Sequence, residues 1–539
     1  MVKCDQLSAV FDDFFFSISV FSFQLSAFHF PLASSHFALR TSHFALRPQL
    51  FNASSVFFSF QLSAFQLFLN FFVVKRAEKQ SQIGTSKVDS SGQSGVLVLL
   101  GVLFTIILAG LDNTIVSTVM PVALPELGDA HLYAWTFAAY MLAAAVSMPI
   151  WGPGSDRWGR RRTYLVGIVA FTVGSGLCAI ARTMMEFIGA RAIQGIGAGA
   201  VATLPFVLLG VVYPPNKRGR ALGAASSAWA IASVAGPLLG TLIVTHVSWR
   251  WAFLINVPIA IVAGFLVIAG MHESIGHSVG RFDFAGALLA GAGGSCLMWA
   301  FVDLGEKQIG LMQAALVGAG IILLAIFVWH EGRTPHPILP LTFFHHAGYA
   351  SSISSSFLAF FSGFGLSAYL PLATNAAFHD NRAFVGLVVG AFTIGWSTFA
   401  FGAGRLVHRI GERLPSVIGI VVHILGLLFF MVAFEHGLGW VIAAALIAGA
   451  GMGLLSPALT VVVQNSVPVA RMGSATTSQQ FIRQIGAALG VSAFVLAATV
   501  GGFRLGLLLM IAVSAGTFAC VLALPAHSLH DAHQIDALE

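Results

Sequence analysis

Gly152-Pro153-Gly154-Ser155-Asp156-Arg157-Trp158-Gly159-Arg160-Arg161-Arg162 is a short charged turn set between two long apolar segments. Residues 132–151 before it and 163–181 after it are almost free of charge. Each is long enough to cross a bilayer as a helix rising 1.5 Å per residue. The turn therefore lies at a membrane surface. Its four arginines assign it to the cytoplasmic side, where short loops rich in Lys and Arg are retained. A chain of 539 residues that is 57% hydrophobic and 9% charged, with 57 glycines, cannot cover its apolar surface as a soluble globule must. It is a polytopic membrane protein. The net charge of +6 comes from basic residues scattered over short loops rather than gathered in one patch, so they read as topology signals and exclude a nucleic-acid partner. Cys4, Cys178, Cys296 and Cys520 have no metal-ligand spacing, and no metal site is expected.

Outward from the turn, apolar runs fall near 95–120, 132–153, 162–181, 185–212, 219–244 and 250–271. They continue near 284–304, 309–329, 348–373, 383–402, 415–434, 438–464, 474–498 and 503–524. Fourteen spans put both termini on one side. With the amino end inside, the inner turns hold Arg157, Arg160, Arg161, Arg162, Lys217, Arg218, Arg220, Arg281, Arg333, Arg405, Arg409, Arg413 and Arg471. The outer turns hold only Arg182, Arg250, Lys307, Arg382 and Arg504. The expected class is an all-α polytopic protein of two six-helix bundles (94–271 and 347–526), with two additional helices inserted at 272–346 and a cytoplasmic tail at 527–539.

Residues 1–93 differ from the rest. Phe21 to Phe28 recurs unchanged at Phe58 to Phe65, and Ser35 to Arg40 recurs at Ser42 to Arg47. Identical copies at irregular spacing are unlike a structural repeat, which varies around one period. Residues 1–72 read as upstream DNA translated as protein, with the start nearer Val73 or Val74; the alternative is an interfacial extension. A polar lead-in follows to residue 93.

Charge inside an apolar span marks function, because an acid or arginine there costs roughly 2.5–3.5 kcal/mol to insert. Asp112, in Leu111-Asp112-Asn113-Thr114, is the clear mid-span carboxylate and the candidate that holds and releases a proton. Arg191, in Arg191-Ala192-Ile193-Gln194-Gly195, cannot lose its charge and needs a counter-ion, for which Asp112 is the obvious partner. Gly236-Pro237-Leu238-Leu239-Gly240 joins a helix bend to small residues that allow close packing. Arg483 is the exception in a second half poor in buried charge, and it reads as a gate residue toward the start of its span. His423 is expected to be a packed, neutral histidine. Gln194, Trp229, Trp299 and Trp396 are candidates to line a substrate cavity. The tail histidines His527, His530 and His533 lack a fixed geometry for a metal.

The turn resembles motif A of the major facilitator superfamily, carried here by Gly152, Asp156, Arg157, Gly159, Arg160 and Arg161. The Asp112 segment, the Arg191 segment and Gly236-Pro237-Gly240 resemble the span 1 signature, motif B and the antiporter motif C. Together they resemble the fourteen-span drug:proton antiporters, the EmrB/QacA-like branch, over about residues 95–525. The resemblance implies that Asp156 faces the start of span 13 near Gly473 and steadies one state of a transport cycle. It implies export of lipophilic drugs or toxic compounds from the cytoplasmic membrane by alternating access. A proton gradient would supply the energy and no cofactor would be needed, with a periplasmic adaptor protein as a candidate partner. An apolar cavity with one Asp and one Arg favours neutral or weakly acidic lipophiles. The readings left open are a major facilitator importer or exporter of one small metabolite, and a membrane scaffold that transports nothing. A weaker copy of the turn, Gly404 to Arg413, places His408 where the first has Asp156, so it reads as structural.

Overall fold

The computed structural model describes residues 90–525 apart from 130–131, 134, 272–282, 305–309, 335–336, 338, 340 and 379–381. The repeats near the amino end, the reading of the start site and the tail histidines fall outside the described residues. Within them there is no β-strand. The first half runs through α1 (Ser90–Leu127), α2 (Trp135–Trp158), α3 (Arg160–Ile180), α4 (Met184–Val212) and α5 (Pro215–His246), then α6 (Trp251–Gly270). Next come α7 (Phe284–Leu304), α8 (Leu311–Glu331), α9 (Ala347–Ala377), α10 (Arg382–Ile410), α11 (Arg413–His436) and α12 (Leu438–Asn465). The last stretch, Met472–Leu522, loses helical geometry at Gly501 and Gly502. The break separates α13 (Val469–Ala498) from α14 (Val500–Leu522).

Eleven segments among the described residues are long and apolar enough to cross a membrane; α2, α5 and α7 are the helices outside that group. A helix in a membrane satisfies its own backbone, which is why apolar runs of this length become helices rather than isolated strands. The proline inside α4 and those inside α2, α9 and α12 interrupt single backbone bonds without ending the helix. Glycine rather than proline ends α2. Gly159 takes φ +97 between α2 and α3, a left-handed conformation that lets the chain reverse within one residue.

Helices α1 to α6 pack on one another, with α4 against α2 and α3, and α1 against α5 and α6. In the second half α9 packs on the α13–α14 stretch, and α12 on α10 and α11. The pair α7 and α8 packs on itself and touches α2 and α13. The two bundles meet through α5 with α10 and through α2 with α13. The hydrogen bonds that join them include Asp156 with Gly473, Arg218 with Asn465, Gln464 with the Phe206 carbonyl, and Ser227 with the Ser397 carbonyl. All four lie in the halves of the helices nearest the arginine-rich turns, here termed the basic face. The bundles are closed against each other on that face.

Candidate functional site

Five helices of the first bundle converge on one polar point. Asp112 on α1 is 1% exposed and Arg191 on α4 is 2% exposed, and the two are joined at 3.1 Å. The other carboxylate oxygen accepts from Gln194 Nε2 at 2.8 Å and from Asn256 Nδ2 at 3.0 Å. Arg191 also donates to Gln194 Oε1 at 2.7 Å and to the Thr136 carbonyl at 3.1 Å, and stacks 4.0 Å over the Tyr140 ring. Ser175 on α3 accepts from Asn256 at 2.9 Å and donates to the Phe253 carbonyl at 3.0 Å. A buried ion pair offsets its desolvation only when its remaining lone pairs and protons are also satisfied. Here α2, α4 and α6 supply those partners, and Ser175 on α3 in turn accepts from Gln194 and Asn256. A change of charge on Asp112 is therefore felt by the whole bundle.

Gln194 belongs to this network and is fully buried, so the structure moves it out of the cavity wall assigned to it from sequence. Its position three residues after Arg191, on the same helix face, carried that signal. Asn256 and Ser175 were missed, because a neutral polar residue in an apolar span looks like any packing residue until its partner is known. On α5, Gly236 and Gly240 pack directly on Thr114 and Thr118 of α1, just beyond Asp112, with no room for a side chain at Gly236. Pro237 lies in the same α5 segment.

At the basic face Asp156 caps the α-helical part of α13, which begins at Met472 after a single 3-10 turn over Val469–Arg471. Its carboxylate accepts from the backbone N–H of Gly473 at 3.0 Å, the backbone N–H of Ser474 at 2.8 Å and the Ser474 hydroxyl at 3.1 Å. The first N–H groups of a helix lack intrahelical partners and carry the positive end of its dipole, so a carboxylate is well matched there. Arg160 lies 3.4 Å from Asp156 and also donates to the Val469 carbonyl. Arg161 donates to the Met271 carbonyl at 3.2 Å, and Arg157 is half-buried beside them. Gly152 packs on Gly473 so closely that a Cβ would meet the Gly473 carbonyl oxygen at 2.5 Å.

The second turn is more than the structural echo that His408 suggested. Glu412 is 4% exposed and accepts from Asn465 Nδ2 at 3.0 Å, while Asn465 Oδ1 accepts from Arg218 Nη1 at 2.7 Å. Arg218 opens α5 in the other bundle, so an acid of the second turn reaches across the seam through one asparagine. Gly404 meets Gly219 there as Gly152 meets Gly473.

The remaining candidates do not share one pocket. Trp299 on α7 packs edge-on against Trp135 with centroids 4.9 Å apart. Trp396 packs among Phe360, Phe364 and Phe392, and Trp229 is 39% exposed on α5. Arg483 sits halfway along α13 rather than toward its start. His423 is buried between Ser362 and the Ala448 carbonyl. An apolar cavity of about 190 Å³ lies elsewhere, beside the Asp156 latch, between α2, α7, α8 and α13, and is lined by Pro149, Pro153, Phe327, Thr477 and Phe481 among others.

Residues 102–491 and 352–536 match the family described as Major Facilitator Superfamily. The chain belongs to the major facilitator superfamily. That membership makes it a multi-pass membrane protein of a transporter family. It is 31% identical over 401 residues to Multidrug resistance protein 3 of Bacillus subtilis, spanning 74% of this chain and 78% of that protein. It is 30% identical over 405 residues to Multidrug resistance protein Stp of Mycobacterium tuberculosis, spanning 72% and 74% of the two chains. Among solved structures, the human organic anion transporter MFSD10 superposes with a TM-score of 0.62 at 16% identity, covering 80% of this chain and 99% of that one. The proton:xylose symporter XylE superposes with a TM-score of 0.59 at 15% identity, covering 83% of this chain and 99% of its own. At these identities the two structures speak for the fold of this superfamily member alone.

Proposed function

We propose that this protein is a proton-coupled antiporter that exports lipophilic drugs or toxic compounds across the cytoplasmic membrane. In this reading the chain crosses the bilayer fourteen times and the basic face is cytoplasmic. The enclosed Asp112–Arg191 pair carries the reading. The relatives named for multidrug resistance give the direction and class of cargo.

The coupling follows from charge. With Asp112 ionised, Arg191 is neutralised and held against Thr136 and Tyr140. A proton on Asp112 removes the counter-ion from a guanidinium that stays charged. Leaving one member of a buried pair unmatched costs several kcal/mol, enough to favour a different packing of α1, α3, α4 and α6. The basic face, closed by Asp156 on α13, is the seam that such a repacking opens. Uptake of a dye and drug panel into everted vesicles, with and without a proton gradient, tests this. Asp112→Asn is expected to abolish gradient-driven uptake while leaving the protein folded. Full activity in that variant removes Asp112 from the coupling role, and substrate movement with no proton exchange favours a different transporter mechanism.

A further inference from the structure

The two bundles treat their buried arginines differently. Arg191 has a carboxylate at 3.1 Å. Arg483, 4% exposed and at the middle of α13, has no carboxylate within ion-pair distance among the described residues. Its hydrogen bonds go to neutral groups, both from Nη2, to the Ser456 carbonyl at 2.9 Å and the Thr460 hydroxyl at 2.9 Å. Its Nε–H is buried without an acceptor. Gln480, three residues earlier on the same helix face, has a buried Nε2 with no partner. A guanidinium stays charged at this depth, and a buried charge with neutral partners only is costly. Its own unpaired Nε–H and the unpaired Nε2 of Gln480 add to that cost.

One side of this cation is aromatic. The Phe360 ring lies 4.7 Å from the Arg483 guanidinium. Phe360 stacks on Phe364 at 5.5 Å, and Trp396 packs edge-on against both, at 5.9 and 6.0 Å. Phe364 is 37% exposed, and Phe360 and Trp396 are half-buried, so the aromatic wall has an open side while the cation behind it does not. A shift of the Phe360 ring would expose a fixed positive charge at the end of an aromatic surface.

The geometry points to a subsite for amphiphilic organic anions, in which a substrate carboxylate pairs with Arg483 and Gln480 while its aromatic body lies along Phe360, Phe364 and Trp396. This rests on the transporter reading above and narrows its cargo to lipophilic carboxylates. A planar guanidinium with an unused N–H is suited to a carboxylate, and the charge-assisted bonds would replace contacts that are now unmade. The substrate supplies in the second bundle what Asp112 supplies in the first.

Equilibrium binding of 1-naphthoate, 1-naphthamide and 1-naphthylmethylammonium to the purified full-length protein tests the subsite, since the three share a ring and differ in charge. The naphthoate is expected to bind at least about tenfold more tightly than the amide, and the ammonium most weakly. Arg483→Gln is expected to remove the preference for naphthoate over the amide while leaving amide binding within about threefold. Arg483→Lys, which keeps the charge and loses the planar fork, is expected to retain part of it, and decides the matter if Arg483→Gln does not fold. Equal binding of naphthoate and amide to the wild type overturns the inference, as does a preference that survives Arg483→Gln. If the vesicle panel shows gradient-driven transport of a neutral dye and naphthoate is still not preferred, only this inference falls. If nothing in the panel moves, the transporter reading falls with it.

Discussion

The two charged turns, 152–162 and 404–413, close the same face of the molecule by the same backbone device and with different chemistry. In both, a glycine of one bundle crosses a glycine of the other, Gly152 on Gly473 and Gly404 on Gly219. In both, a left-handed glycine, Gly159 with φ +97 and Gly411 with φ +81, reverses the chain behind the crossing. The acids are displaced. Asp156 stands before Gly159 and grips the bare start of α13 directly. Glu412 stands after Gly411, at the position of Arg160 in the first turn, and reaches α5 through Asn465 and Arg218. Shape has been kept on both sides of the molecule, and the place of the negative charge has moved by about one helical turn. An internal repeat can thus preserve a crossing while each copy finds its own polar clasp.

The comparison is most exposed to Asp156→Asn. That change removes a charge from four hydrogen bonds, two of them from backbone N–H groups at a helix terminus, and is expected to weaken closure by about 2 kcal/mol or more, roughly 30-fold in the closed-to-open ratio. Distances between spin labels on the α2–α3 and α12–α13 turns report that ratio, and an unchanged closed population would mean that the glycine crossing alone holds the seam. Glu412→Gln comes next. Because Glu412 acts through a neutral asparagine, the expected loss is about 1 kcal/mol, roughly fivefold by the same labels. An effect as large as that of Asp156→Asn would make the two turns equivalent and break the comparison.

The smallest effect belongs to an exposed pair away from the seam, Glu126 with Arg250 at 2.6 Å, whose side chains are 52% and 35% exposed. Hydrogen bonds from Arg250 and from Trp249 hold the Glu126 carboxyl below the ordinary glutamate value. A lowered value in the folded state means that the stabilisation is present at neutral pH and is lost as pH falls through that lowered value. Solvent screening keeps it within about 0.5 kcal/mol, so Glu126→Gln should leave thermal stability at pH 7 nearly unchanged. A large loss of melting temperature would show that this exposed pair matters as much as the buried clasps.

Much of the fold was legible because apolar runs of bilayer length and basic turns are strong, local signals. The contact of Asp112 with Arg191 was also within reach, since two isolated charges in apolar spans of one bundle have few other ways to be matched. The rest of that network was not. Asn256 and Ser175 are neutral and carry no penalty large enough to announce themselves, and Gln194 was placed on the wrong surface although it shares a face with Arg191. The clasp at Glu412 depends on Arg218 and Asn465, which are 247 residues apart, and nothing in either local sequence pairs them. The depth of Arg483 was misjudged because only the structure shows where α13 begins.

The glycine crossings have a mechanical consequence. Where side chains meet, a joint has a compliant layer whose rotamers can absorb small displacements. At Gly404 and Gly219 main chain meets main chain, and at Gly152 and Gly473 it does so with Thr477, Ser155 and Asp156 packed tightly around the crossing. Such a seam has no slack, and packed surfaces of this kind switch between discrete arrangements rather than deform smoothly. Its motion is that of a latch that clicks, and label distances across it should fall into two narrow groups instead of one broad drift.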